Sequence, residues 1–204
     1  MYKTLLFVAA AVAFASAHED VVEVTRAIAV LNANGISGNV TFTREEDDKI
    51  RIGGRIIGMK PGMYGFHIHE KGDLSNGCAS ALGHFNPNGN DHGHPHDENR
   101  HVGDLGNIEF DSTETANLNF LDHLIKLNGR HNIIGRAVVL HSMADDFGRS
   151  DHPDSKVTGN AGGRVACGVI GIMDYTLPKA NAATTSSASV LMALTFYTFV
   201  AALM

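Results

Sequence analysis

Between residues 21 and 172 the apolar residues do not recur at helical spacing; they come in short runs, rich in β-branched residues and cut off by Gly, Pro, Asn and Asp. A chain so patterned can bury its apolar side chains only by pairing strands. Residues 21–31, 38–43 and 50–57 read as three consecutive antiparallel strands, the last two parted by an acidic turn at Glu45–Asp48. Residues 63–69 follow a Pro61-Gly62 turn as a fourth strand, and 107–110, 116–120, 133–141 and 164–172 complete the series, with a turn at Gly129. The 22 glycines and the absence of tryptophan suit many short strands joined by tight turns. The expectation is an all-β sandwich or barrel with two long functional loops, one after His69 and one after His141. No internal repeat is present.

At 204 residues the chain has room for one domain, residues 18–178, with a processing segment at each end. Residues 1–17 carry Lys3, an apolar run and Ala15-Ser16-Ala17, which reads as a secretory signal peptide cut before His18. Residues 179–204 pass from a small, polar spacer to an apolar end from Val190 to Met204, too short for a comfortable membrane span. That order reads as a glycolipid (GPI) anchor signal, with attachment near Asn181, Ala182 and Ala183, ahead of a short membrane anchor or a plain tail. The protein is therefore expected to be secreted, held at the outer membrane leaflet only through a lipid. Asn39-Val40-Thr41 is a glycosylation sequon, which would mark its strand as exposed.

A formal charge of −6 with no basic run excludes a nucleic-acid binder. Cys78 and Cys167 are the two cysteines; in an oxidising compartment such a pair reads as a disulfide ahead of a metal pair or a nucleophile. It would tie a His-rich stretch to the end of the domain.

That stretch, residues 65–106, holds His67, His69, His84, His92, His94, His96 and His101 of the chain's 12 histidines. Imidazole is the commonest protein metal ligand, so a metal centre is the leading reading over a solvated polar loop. His67 and His69, two apart on a strand, point to one face and can grip one ion. His84, His92, His101 and Asp104 follow in an irregular Gly/Pro/Asn loop; three imidazoles and a carboxylate suit a closed, tetrahedral zinc site. His141 ends an apolar strand and gains weight only from this company. His123 and His131, beside Gly129, read as structural, and His18 as a metal ligand is set aside.

Four motifs carry a resemblance to a known family: Gly65-Phe66-His67-Ile68-His69-Glu70, Gly83-His84-Phe85-Asn86-Pro87, Arg100-His101-Val102-Gly103-Asp104-Leu105-Gly106-Asn107, and Gly159-Asn160-Ala161-Gly162-Gly163-Arg164 followed by Ala166-Cys167-Gly168. Over residues 21–175 the chain resembles the copper/zinc superoxide dismutases in their secreted form. The resemblance implies a flattened eight-stranded Greek-key barrel, copper on His67, His69, His84 and His141, and zinc on His84, His92, His101 and Asp104. His84 would bridge the two ions and act as a proton donor, and Asp145 would join His67 to His92 from outside the ligand sets. It also implies a Cys78–Cys167 disulfide, Arg164 as the residue that docks superoxide, and a homodimer.

The chain departs from the family's usual pattern at Ser142 and Met143, where charged residues are common, and at Val157, where a steering lysine is common and Lys156 stands one place earlier. His94 and His96 lie outside the implied ligand sets and read as solvated loop residues, with a weak surface metal site as the alternative. A copper chaperone of this fold would add a Cys-rich segment, a module without catalysis would lack a copper ligand or Arg164, and a copper-only enzyme would lack the zinc set. None of these matches the sequence.

Overall fold

The short apolar runs become strands in the computed structural model of the chain, which describes residues 22–177. The signal segment 1–17, His18 and the tail 179–204 lie outside the described residues. The strands are β1 (Glu23–Ala33), β2 (Ile36–Arg44), β3 (Ile50–Ile57), β4 (Gly62–His69), β5 (Ser75–Cys78), β6 (Asp104–Phe110), β7 (Thr115–Asp122), β8 (Ala137–His141), β9 (Arg164–Val169) and β10 (Gly171–Thr176). Nine of them form two antiparallel sheets, in the orders β10-β1-β2-β3-β7 and β6-β4-β8-β9. Among the described residues helix is confined to α1 (Ser155–Thr158) and a 3-10 turn at Ala79–Ala81, single turns too short to leave a periodic signature in the sequence. Among the described residues no helix is long and apolar enough to cross a membrane.

The chain joins the sheets at both sides: β6 turns into β7 through residues 111–114, and β9 runs into β10 through Ile170. With β9 and β10 taken as one bent strand and the short β5 set apart, the barrel has the expected eight strands. β3 to β4 and β7 to β8 are the crossovers of a Greek key. The run expected at 133–141 begins as a strand only at Ala137, because residues 133–136 turn back: Ile133 N–H donates to Lys126 O (2.9 Å) and Arg136 N–H to Ile133 O (3.1 Å). This turn breaks the run expected at 164–172 as well. Ile170 donates to Arg136 O (2.8 Å) and accepts from Gly135 (2.9 Å), which takes it out of the ladder where the strand changes sheet.

Strand alternation positions the chemistry. Phe66 and Ile68 of β4 and Val138 and Leu140 of β8 point into the main apolar core, so His67, His69 and His141 point the other way. All three are nonetheless buried, because the long loops cover that face. Asp104 opens β6 opposite His67, and Arg164 opens β9 opposite His141. The loop bearing His84 is stitched to β4 by Phe85 N–H to Ile68 O (2.8 Å), Ile68 N–H to Gly103 O (2.9 Å) and an isolated bridge between His69 and His84. Gly103 is required there, since a Cβ would sit 2.1 Å from the Ile68 carbonyl oxygen.

Candidate metal centre

The hydrogen-bond acceptors around each imidazole decide which nitrogen is left free, because carbonyls and carboxylates only accept. His69 Nδ1 lies 2.7 Å from Leu82 O and His141 Nδ1 lies 3.3 Å from Gly162 O, which leaves both Nε2 atoms unprotonated. Those two Nε2 atoms are 3.3 Å apart. His67 Nε2 and His92 Nε2 face the two oxygens of Asp145 at 2.9 and 2.8 Å, which leaves Nδ1 free on each. Main-chain and carboxylate partners thus turn the lone pairs of these rings inward.

Two four-residue sets result, each with ligand atoms within 4.8 Å of one another: His67, His69, His84 and His141, and His84, His92, His101 and Asp104. His84 belongs to both. In the second set a single oxygen, Asp104 Oδ1, lies 2.9 Å from His84 Nδ1, 3.0 Å from His92 Nδ1 and 3.1 Å from His101 Nδ1. The other oxygen, Oδ2, accepts from the amides of Gly93 (3.1 Å) and His101 (2.9 Å), so the carboxylate cannot turn.

Burial and charge act on these groups in opposite senses. Burial, reinforced by the neighbouring His84, pushes His67 down to about 3, His69 to about 2 and His141 to about 4, so all three are neutral ligands at neutral pH. His92 is also pushed down by burial, but the carboxylates of Asp104 and Asp145 outweigh it and raise it to about 9. Asp104 and Asp145 would be raised by burial, yet the imidazoles around them hold both well below the usual carboxylate range. His92 Nδ1 is close to Asp104 without hydrogen-bond alignment, so that attraction is electrostatic.

The donor set itself shows that cations fit. His67 Nδ1 and His84 Nε2 are buried without a hydrogen-bond partner, a costly arrangement unless a cation accepts their lone pairs. They point into the sets that contain them. Imidazole-only and imidazole-carboxylate sets of four suit copper and zinc respectively.

Asp145 is fixed in turn by Asn107, whose side chain donates to Asp145 O (2.9 Å) and accepts from Asp145 N–H (2.7 Å). Gly159 leaves the room this needs, because a Cβ there would lie 2.0 Å from Asp145 Oδ1 and 2.5 Å from His92 Nε2. Arg164 Nη1 donates to Cys78 O (2.6 Å) and Nη2 to Leu82 O. Cys78 and Cys167 form a disulfide across 89 residues, which clamps those acceptors to the strand bearing Arg164. The chain-entropy model gives such a loop about 4–5 kcal/mol.

Sequence reasoning missed three supports. Arg100, fully buried, donates to the carbonyls of His101, Val102 and Asp104 and pairs with Asp122. Asn107 stood in a quoted motif without a role, and Leu82 adopts a positive φ of 61° that aims its carbonyl at His69 and Arg164. Ser142, Met143, Lys156 and Val157 are exposed, and Asn39 is exposed on β2. His131 Nδ1 donates to Leu124 O (3.0 Å), a structural bond, while His123 is exposed.

Fold and site together define a β-barrel metalloprotein with two adjoining cation sets that share one imidazole. The family model for copper/zinc superoxide dismutase (SODC) matches residues 36–170. A solved structure described as that of the clock protein EA4 is 60% identical, with a match covering 76% of this chain and 99% of that chain at a TM-score of 0.75. The chain belongs to the copper/zinc superoxide dismutases. It is an oxidoreductase acting on superoxide, with copper and zinc as cofactors.

Proposed function

We propose that the chain disproportionates superoxide outside the cell, with copper held by His67, His69, His84 and His141 and zinc by His84, His92, His101 and Asp104. The observation that carries the assignment is the single imidazole of His84 between an all-imidazole set and a set containing a carboxylate. Copper supplies the one-electron cycling that zinc lacks. Two superoxide ions and two protons give dioxygen and hydrogen peroxide. Arg164, opposite His141 and anchored on carbonyls, binds the incoming anion through the N–H groups it keeps free. When it is not bound to copper, His84 Nε2 would hold a proton and pass it to the departing peroxide, and solvent would supply the second.

Met143, where the family commonly carries a charge, and Val157, where a steering lysine is common, are exposed and uncharged, which shifts more of the attraction for the anion onto Arg164 and Lys156. The secreted, lipid-anchored location rests on segments 1–17 and 179–204, and a sugar on Asn39 agrees with that residue's exposure on β2. A homodimer is supported by the exposed apolar side chains of Val169 and Ile172.

Metal analysis beside a superoxide assay tests the centre: His141→Ala should lose copper and activity but keep zinc, and full activity would refute the copper assignment. Release from cells by a phosphatidylinositol-specific phospholipase tests the anchor, and retention after treatment would refute it. Sedimentation of the purified domain at twice the monomer mass is expected for the dimer.

A further inference from the structure

The segment around His92 runs along the loop that follows β8, with contacts at both ends. At the inner end His92 N–H donates to Lys156 O (2.9 Å) and His92 Nε2 to Asp145 Oδ1 (2.8 Å). Further out, the imidazole of His94 meets the ring of Phe147 edge to face, with centroids 4.6 Å apart and planes at 68°. His94 N–H donates to Asp97 Oδ2 (2.9 Å), His94 Nδ1 accepts from the amide of His96 (3.1 Å), and Arg149 reaches Asp97 Oδ1 (3.4 Å) from the opposite loop. His94 is therefore engaged through its ring, its amide and its Nδ1, where the sequence had suggested a solvated residue.

Phe147 shows what this contact holds. Its φ is +62°, a region a bulky side chain enters only when its surroundings impose it. Its amide donates to Asp145 Oδ1 at 2.7 Å, the same oxygen that receives His92 Nε2. The route from His94 to the metal centre is thus short: ring against Phe147, Phe147 amide on Asp145, Asp145 on His92. His96, more exposed, makes none of these cross-loop contacts through its ring, which lies against His94 at 5.1 Å between centroids.

We propose that His94 is a positioning residue whose ring, packed on Phe147, clasps the two functional loops together and sets how firmly zinc is retained by His84, His92, His101 and Asp104. The inference rests on the zinc assignment proposed above. Without the ring, the turn carrying Phe147 loses its support from the facing loop, its amide leaves Asp145, and the carboxylate that orients His92 is held less firmly. Zinc escapes faster, while the all-imidazole set, in which only His67 leans on Asp145 and His69 and His141 are oriented by main-chain carbonyls, loses less affinity.

The test uses the full domain with both metals removed and zinc, copper or cobalt(II) added back. His94→Ala should raise the zinc dissociation constant about tenfold, broaden the visible bands of cobalt(II) in the zinc set, weaken copper binding by a smaller factor, and leave the melting temperature of the metal-free protein unchanged. His94→Phe, which restores a ring without its nitrogens, should recover zinc retention; His152→Ala, exposed on the same loop as Phe147, should behave as the parent. Unchanged zinc affinity in His94→Ala overturns the inference. So does failure of His94→Phe to rescue, a loss of copper affinity as large as the loss of zinc affinity, or a loss of metal-free stability. His92→Ala separates the two readings: if it still holds zinc as tightly as the parent, the zinc assignment falls and the inference with it. If it loses zinc while His94→Ala does not, only the inference falls.

Discussion

The guanidinium of Arg164 and the imidazole of His69 donate to the same acceptor, the carbonyl oxygen of Leu82. One main-chain atom therefore fixes both the free nitrogen of a proposed copper ligand and the position of the proposed anion-docking residue. Leu82 accepts a left-handed conformation to present it, and the Cys78–Cys167 disulfide holds the segment in place.

Arg164→Ala should lower kcat/KM for superoxide by about 10- to 100-fold, the worth of one charge-assisted hydrogen bond to an anion. Copper and zinc contents should stay at parent levels, since Arg164 belongs to neither ligand set. Pulse radiolysis with metal analysis measures both, and parent activity would remove Arg164 from the substrate's path.

Asp145→Asn replaces two acceptor oxygens by one acceptor and one donor, so either His67 or His92 must face an N–H where it now donates. Loss of such an outer hydrogen bond costs about 10- to 100-fold in metal affinity. Chelator competition should show this on one or both sets. Unaltered affinities would mean that loop packing alone orients the rings.

Asp122→Ala leaves the fully buried Arg100 without its counter-charge and should cost about 3–5 kcal/mol. For a domain of this size that lowers the melting temperature by about 10 °C. Calorimetry of the metal-free protein is the direct measurement, and a change of a degree or two would show that the carbonyls around Arg100 suffice.

Metal-free protein should be most stable near pH 7. His67, His69 and His141 have folded values lowered to about 3, 2 and 4, so the unfolded chain takes protons near pH 6.5 while the native state does not. Their contribution is complete above about pH 6.5 and is lost as pH falls towards the folded values. His92, raised to about 9, works in the other direction: its contribution is complete below about pH 6.5 and is lost as pH rises through about 9. Melting temperatures should fall more steeply from pH 7 to 4.5 than from pH 7 to 9, because burial lowers His84 as well and four imidazoles then act against one. His141→Gln should flatten the acid limb, and an unchanged acid slope would contradict the burial of that imidazole as its cause.

The barrel was legible because strand alternation and turn residues are local signals, as in β4, where Phe66 and Ile68 face one way and His67 and His69 the other. The histidine spacing likewise pointed to the His67/His69 pair and to the set of His84, His92, His101 and Asp104, and the fold brings His84 and His141 to that pair. What stayed hidden depends on partners distant in sequence. Arg100 sits in a polar, charged loop and looks solvated until Asp122, from another strand, is placed beside it. Nothing near Asn107 indicates that residue 145 will lie across its amide, and the break at Ile170 follows from a turn at residues 133–136 that only the folded sheet brings close.

The carboxylate of Asp145 has both oxygens committed, one to each ligand set. Whatever immobilises His67 also restricts the partner of His92, and the reverse holds equally. The two binding equilibria are thermodynamically linked, and such linkage is reciprocal by necessity. Filling either set should tighten the other by one common factor, so that loading runs towards the fully paired protein and half-filled molecules are scarce.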